Sequence, residues 1–271
     1  MFTRVLKLKS SGPTHGILMK SCSRALGNLR EVSKTWQESV TQDLDIKQLE
    51  SYHNEQLIKV DINDKVLGPI SKGESHAIET VQKSIYHRAL SLLIFDKRER
   101  FLLTQRASCK ITFPNYFTNA CCSHPLYNES ELEDDGNAIG VRKAVIRRAN
   151  FELGIDELDI KPEELVFMNR LAYRAESDGG VWGESEIDYI FVLKKDLNLA
   201  PNPDEVRDIR YVTKSQMQDL LANQLKYNVK VTPWVRLLAK DFLFRYWDNL
   251  SNLESVAEPE TIVNYKGLFS S

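Results

Sequence analysis

The sequence predicts one α/β (α+β) domain built on a mixed β-sheet, with a helical addition at its C-terminal end. Three observations support this fold class. Short apolar, β-branched and aromatic runs alternate with polar turns, one central segment has the apolar spacing of a helix, and a strongly amphipathic segment lies near the end of the chain. At 271 residues the chain is long for one domain and short for two, and no low-complexity linker divides it.

The first predicted strands form a β-hairpin. Residues 56–70, QLIKVDINDKVLGPI, contain two short strands on either side of a turn at Asn63 and Asp64. Two apolar strands follow, at residues 91–95 and 101–106, and the charged turn DKRER separates them.

A central helix is predicted over residues 136–155, where Gly154 supplies the C-terminal stop. Its apolar positions at helical spacing are Ile139, Val141, Val145 and Ala149. Residues 165–175 and 185–195 follow as strands. Residues 203–224 are predicted to form a strand and then a helix with Thr213 as its N-cap, and residues 232–250 a final helix opened by a Thr-Pro pair.

Composition limits the classes of function. The net charge of −2 argues against a nucleic-acid binder held by a whole-surface basic field. No apolar run approaches the roughly 18 residues of a membrane helix, so no membrane partner is expected. The four cysteines form neither a CxxC pair nor a disulfide framework, which indicates a reducing compartment and a protein that is not secreted.

The first thirty residues differ from the rest, because they contain six Lys and Arg residues, several serines and no acid. This profile fits a transit peptide, and it equally fits a disordered basic tail. We therefore divide the chain into an extension, residues 1–40, and one domain, residues 41–271. A cytoplasmic or a mitochondrial location is expected.

The segment FTNACCSHPL places two adjacent cysteines just before a histidine. In an extended segment successive side chains point to opposite faces, so Cys122 and His124 share one face and Cys121 points the other way. We expect a reactive thiol at Cys122 beside a metal ligand, and a buried bystander at Cys121.

In WGESEIDYIF, Glu184 and Glu186 lie two residues apart at the head of a predicted strand and therefore share a face. Two close carboxylates favour a cation or a shared proton, although a solvated strand edge is the ordinary alternative. Three histidines, His76, His87 and His124, are available to complete a metal site. Imidazole favours Zn²⁺ or Mn²⁺ over Mg²⁺ or Ca²⁺.

A basic group accompanies these residues. Lys72 stands four residues before His76, and Arg106 stands four before Lys110. Arginine and lysine near backbone amides bind phosphate, although such pairs more often lie in solvated loops.

The run QRASCKITFPNYFTNACCSHPL, with YHRALSLLIF before it and YRAESDGGVWGESEIDYIF after it, resembles the type I isopentenyl-diphosphate isomerases, the metal-dependent members of the Nudix fold. The resemblance covers about residues 76–249. It rests on the long motifs TN-x-CCSHP and WGE-x-E-x-DY, and it implies a Nudix-like mixed sheet sandwiched by helices. Ala120 departs from the Thr or Ser usual in the family, and the turn SDGGVWG carries an extra glycine.

The resemblance also implies roles for individual residues. It makes Cys122 catalytic and gives Glu186 a part in proton transfer. Metal binding falls on His76, His87, His124, Glu184 and Glu186. Contacts to a small-molecule diphosphate substrate fall on Lys72, Arg106, Lys110, Ser123 and Arg148. Glu152 would meet an Mg²⁺ ion that arrives with that diphosphate, while Zn²⁺, Mn²⁺ and Mg²⁺ all stay open for the His/Glu site. A monomer is expected.

The implied reaction adds a proton to a terminal CH₂ and removes one from C2 through a tertiary carbocation. Cys122 and Glu186 would act from opposite sides of the substrate, with Glu186 polarised by the Tyr173 hydroxyl. The face of Trp234 would stabilise the cation by about 2 kcal/mol, although an ordinary core tryptophan is an equal alternative. The sequence leaves open which of the two groups acts first.

Two rival functions follow from the same residues. A Nudix hydrolase is the first, yet RRANFELGI keeps only Glu152 and the ending LGI of the hydrolase pattern. Arg148 and Phe151 stand where the hydrolase has glutamates. A non-catalytic diphosphate- or metal-binding module is the second.

Overall fold

The computed structural model describes residues 46–267 and 269–270. The predicted extension, residues 1–40, lies outside the described residues. The helices are α1 (Ile46–Asn54), α2 (Lys72–His76), α3 (Ile78–Gln82), α4 (Glu129–Leu132), α5 (Ile139–Leu153), α6 (Lys214–Ala222), α7 (Gln224–Tyr227), α8 (Pro233–Asp241) and α9 (Leu243–Asp248). Short 3₁₀ turns occur at Glu157–Asp159, Pro162–Glu164 and Leu253–Val256.

The strands are β1 (Gln56–Val60), β2 (Val66–Ser71), β3 (Tyr86–Phe95), β4 (Phe101–Arg106), β5 (Phe117–Thr118), β6 (Cys121–Ser123), β7 (Val166–Glu176), β8 (Gly183–Lys194), β9 (Val206–Val212), β10 (Ile262–Asn264) and β11 (Phe269–Ser270). The predicted hairpin, the strand pairs and the central helix are therefore confirmed, with boundaries shifted by a few residues. Within the described part of the chain, no helix is both long and apolar enough to cross a membrane.

One branched, mixed sheet organises the domain. Its main path runs in the order β10-β7-β8-β3-β1-β2. Strands β3 and β8 pair in parallel, whereas β7 and β8 pair antiparallel. Along its other edge β3 meets β1, β6 and β4 in turn, and β9 pairs with β4. Strand β3 is thus the central element that brings β6 and β8 to the same place.

Helices cover both faces of this sheet, so its strands bury side chains on each side. On one face Val141 and Val145 of α5 belong to an apolar core that includes Leu92. On the other face Trp234 of α8 belongs to a second core that includes Leu93. The alternation of Leu92 and Leu93 reflects the two-residue period of a strand. The predicted mixed sheet sandwiched by helices is confirmed.

Helix α5 ends where the sequence indicates. Gly154 has φ = 63°, in the left-handed region that favours glycine, and its N–H donates to the carbonyl of Asn150. A Cβ at this position would lie 2.3 Å from the carbonyl oxygen of Ala200. Both the conformation and the close approach therefore require glycine.

The predicted single helix over residues 232–250 is wrong at its centre. The backbone leaves the helical conformation at Phe242, with φ = −135°, and separates α8 from α9. At about 100° per residue, Trp247 would lie about 140° around a straight helix from Trp234. Both side chains are buried, and the break lets two successive helices each turn an apolar face inward.

Candidate active site

Five metal-ligating side chains converge at one end of β3. A ligand atom from each lies within 4.8 Å of the others, and all five side chains are buried. The set consists of His76, His87, His124, Glu184 and Glu186. The three imidazole rings form a triangle with centroids 4.9 Å apart on every side. The structure thus brings together all five side chains that the sequence predicted for the metal.

Strand register places the ligands on β3 and β8. His87 pairs with Glu186 across the parallel β3–β8 ladder, and its Nε2 lies 3.6 Å from Glu186 Oε1. Glu184 is two residues earlier on β8 and therefore faces the same side. Strand β8 begins at Gly183, where it lies very close to β7. Glycine is needed there, because a Cβ would lie 2.5 Å from the carbonyl oxygen of Ala175.

The other two histidines come from the ends of short elements. His76 ends α2, and its Nδ1 lies 2.7 Å from the carbonyl oxygen of Lys72. That contact leaves Nε2 directed at Glu184, 2.9 Å from Oε2. His124 follows β6, and its Nε2 lies 2.9 Å from Glu186 Oε1. A bonded Nδ1 that orients Nε2 is the usual arrangement for a metal-binding histidine.

The donor set fits a divalent ion. Within the described residues, neither ring nitrogen of His87 has a hydrogen-bond partner, and the same is true of His124 Nδ1. Buried polar atoms are rarely left unpaired. Burial lowers the pKa of His87, and burial together with His76 and His87 lowers that of His124 well below its usual range. Neutral imidazoles are the form that binds metal.

Cys122 lies on β6 beside this cluster and lines one narrow cavity with His124 and Glu186. Burial raises the pKa of its thiol well above the ordinary value, and the carboxylates of Glu186 and Asp188 add to the effect. Cys121 is fully buried in the opposite core, beside α5. The two cysteines therefore point to opposite faces, as predicted, while the reactivity of Cys122 stays a prediction.

Tyr173 stands opposite Glu186 in the antiparallel β7–β8 ladder, and its hydroxyl donates to Glu186 Oε2. Burial alone would raise the pKa of Glu186, but the adjacent His87 imidazole and the hydrogen bond from Tyr173 outweigh it and hold that pKa below its usual value. Glu186 therefore has one oxygen toward the histidines and the other toward a phenol.

The predicted phosphate-binding residues line the same cavity. They are Lys72, Arg106, Lys110, Ser123 and Arg148. Lys72 Nζ donates to Glu55 Oε2 at 2.7 Å, and Arg106 donates to the carbonyl oxygen of Thr112 at 2.9 Å. Burial, partly offset by Glu55, lowers the pKa of Lys72 to about 8.

Glu152 is placed differently from the other predicted residues. It does not contribute to the lining of the cavity, and its carboxylate accepts from Arg148 at 2.8 Å. Its assignment to an Mg²⁺ ion stays a prediction.

Trp234 closes one side of the cavity from the first turn of α8. Its indole N–H lies 3.0 Å from both Thr118 Oγ1 and Asn119 Oδ1, which fixes the plane of the ring. The Arg106 guanidinium lies 5.7 Å from the ring centroid. Trp234 is thus both a core residue and a cavity residue, so the two interpretations of the sequence were not exclusive.

Several residues of this site were missed in the sequence. Tyr52 of α1 lines the cavity, with its ring centroid 5.4 Å from that of His76. Ser91 of β3 donates to Asp188 at 2.8 Å, and its Oγ lies 3.8 Å from Cys122 Sγ. Gln48 and Tyr52 are four residues apart and therefore lie on the same face of α1, where both are buried. That spacing was the only feature of the sequence that indicated α1.

Comparison with known proteins gives consistent results. A family model described as NUDIX domain matches residues 85–235. The chain is 44% identical over 225 residues to Isopentenyl-diphosphate Delta-isomerase 1 of Bos taurus, covering 83% of this chain and 98% of that protein. It is 44% identical over 204 residues to Isopentenyl-diphosphate delta-isomerase 2 of Homo sapiens, covering 75% and 89%. It is 41% identical over 233 residues to Isopentenyl-diphosphate Delta-isomerase I of Clarkia breweri, covering 84% and 80%.

Proposed function

The chain belongs to the NUDIX-domain family and, within it, to the isopentenyl-diphosphate Delta-isomerases, and from this premise we propose how its cavity carries out the reaction. The enzyme interconverts isopentenyl and dimethylallyl diphosphate, a step of isoprenoid synthesis. The observation that carries the mechanism is that Cys122 and Glu186 line the same cavity as the predicted diphosphate-binding cations.

The diphosphate end of the substrate would lie among Lys72, Arg106, Lys110 and Arg148, with Ser123 beside them. Arginine forks and lysine point charges are the groups that bind phosphate oxygens. This end would fix the five-carbon chain in the narrow part of the cavity, between Cys122 and Glu186. Holding the chain there converts the proton transfers into steps within one bound complex.

Glu186 would act as the acid and give its proton to the terminal CH₂, becoming a carboxylate that Tyr173 stabilises by donating to Oε2. Cys122 would act as the thiolate and take the proton from C2, becoming the neutral thiol that burial favours. One proton enters the substrate and one leaves it, so the thiol proton must return to Glu186 before the next turnover. The face of Trp234 would stabilise the tertiary cation at C3 without a nucleophilic atom that could trap it.

We also propose that His76, His87, His124, Glu184 and Glu186 hold one divalent ion, which is Zn²⁺, Mn²⁺ or Mg²⁺. Such an ion would offset the two carboxylate charges and polarise Glu186. An Mg²⁺ ion that accompanies the diphosphate would be met by Glu152 once Arg148 turns to the substrate. We propose that the protein is a monomer. On the basis of the basic, acid-poor leader of the sequence, we propose that it works in the cytoplasm or the mitochondrion.

One assay distinguishes this function from its rivals. Isopentenyl diphosphate is incubated with the enzyme and Mg²⁺ in D₂O and followed by NMR. Deuterated dimethylallyl diphosphate is the expected product. Release of phosphate would indicate a hydrolase, and unchanged substrate would indicate a binding module.

A further inference from the structure

The cations of the proposed diphosphate site are already largely neutralised by carboxylates. Lys72 pairs with Glu55 at 2.7 Å, and Lys110 pairs with Glu205 at 2.6 Å. Two carboxylates share Arg148, with Glu152 Oε1 at 2.8 Å and Glu205 Oε2 at 3.8 Å. Within the described residues no carboxylate pairs with Arg106, which donates to Thr112 instead. Apart from Glu184 and Glu186, which belong to the proposed metal centre, these four cations and three carboxylates leave one net positive charge.

Glu205 differs from the other two carboxylates in its position. It immediately precedes β9, is 9% exposed and does not contribute to the cavity lining, so it stands behind Lys110 and Arg148. Its carbonyl oxygen accepts from Ala107 N–H, and its Oε1 accepts from Gln48 of α1. These contacts hold the carboxylate in place whether or not a ligand is bound.

Glu205 also stays ionised. Burial alone would raise its pKa, but Lys110 and Arg148 together hold that pKa at about 2. A buried charge is screened by salt much less than an exposed one. Its negative potential therefore acts with little screening on an anion bound by Lys110, which would lie about two hydrogen-bond lengths from the Glu205 carboxylate.

We propose that Glu205 sets the charge specificity of this site, so that a diphosphate is held tightly only together with a divalent cation. The inference rests on the proposed diphosphate site and adds a specificity-determining residue to it. A diphosphate ester carries about three negative charges at neutral pH. Against one net positive charge it leaves two negative charges uncompensated, which one divalent ion neutralises. Without Glu205 the site would have two net positive charges, and the bare anion would bind far better.

The test is calorimetric binding of inorganic pyrophosphate to the full chain, first with EDTA and then with excess Mg²⁺. With EDTA we expect Glu205→Gln to bind pyrophosphate at least about tenfold more tightly than the unmodified protein. The amide oxygen of glutamine still accepts from Lys110, so the cations stay in place. With Mg²⁺ the difference should fall to less than about threefold.

Two variants serve as controls. Glu205→Asp keeps the charge and should match the unmodified protein. Asp96→Asn removes a buried carboxylate that pairs with Arg100 at 2.6 Å, at the far end of β3, and should also match it.

Equal or weaker binding by Glu205→Gln in EDTA would overturn the proposal and leave Glu205 as an anchor for Lys110 and Arg148 only. Tighter binding by Glu205→Asp would also overturn it, because charge would not be the cause. If the unmodified protein binds no pyrophosphate under either condition, the diphosphate site itself is wrong and the inference falls with it. The deuterium assay measures isomerase activity separately, so the two failures are distinguishable.

Discussion

Replacing Tyr173 with phenylalanine should slow the reaction without weakening substrate binding. Tyr173 is fully buried, and its hydroxyl is the donor to Glu186 Oε2, whereas Oε1 faces His124 and His87. A hydrogen bond to a charged group contributes about 1.5–3 kcal/mol. If the whole energy of this hydrogen bond stabilises Glu186 in the transition state, its loss should lower kcat by roughly 10- to 150-fold.

The KM should stay within about twofold, because Tyr173 does not line the cavity. The measurement is steady-state conversion of isopentenyl diphosphate, together with thermal unfolding. Tyr246→Phe is the matched control. Tyr246 is equally buried, and within the described residues its hydroxyl has no hydrogen-bond partner. If Tyr173→Phe kept the kcat of the unmodified enzyme, the role of the phenol in orienting Glu186 would be refuted.

Three further predictions follow from the site. Cys122→Ala should lose at least about 10³-fold in kcat, whereas Cys121→Ala should keep its activity and lose only about 1 kcal/mol of stability; equal, mild losses of activity would contradict the assignment. Gly183→Ala should cost about 1–3 kcal/mol and weaken metal binding, as measured by unfolding and by metal content, because its Cβ would lie 2.5 Å from the Ala175 carbonyl oxygen. Above pH 8 the KM should rise, because Lys72, whose pKa is lowered to about 8, loses its charge; a pH-independent KM would refute this role.

Lys72 also affects the pH dependence of stability. Its pKa in the folded protein, about 8, lies below the usual 10.5. Between these values the unfolded chain binds more protons than the folded one, so the contribution of Lys72 to stability rises with pH through this window.

The site was accessible to sequence reasoning wherever it depends on strand periodicity. A two-residue period placed Glu184 with Glu186 and Cys122 apart from Cys121, and the structure has both arrangements. The convergence of His76, His87 and His124 was not derivable from periodicity, since it depends on which strands pair. It came from the family resemblance, and its residue roles stay predictions.

What the sequence could not supply involves long-range contacts. Glu205 and Lys110 are 95 residues apart, and Gln48 and Glu205 are 157 apart. No local pattern encodes such pairs. The break at Phe242 was missed for a related reason. The helical spacing of residues 232–250 is continuous, and the break follows from the fold, in which Trp234 and Trp247 are both buried.

Strand β8 is buried on both faces from Gly183 to Leu193, and this has a consequence for folding. If β8 slipped by one residue against β3, its acidic side chains would point to the other face of the sheet, into the apolar core beneath α5. Three carboxylates, Glu184, Glu186 and Asp188, would lose water and gain no counter-charge there, at a cost of several kcal/mol each. These three acids thus help to fix the register of β8 against β3. The burial of apolar residues alone would not stabilise a misaligned chain enough to offset that cost.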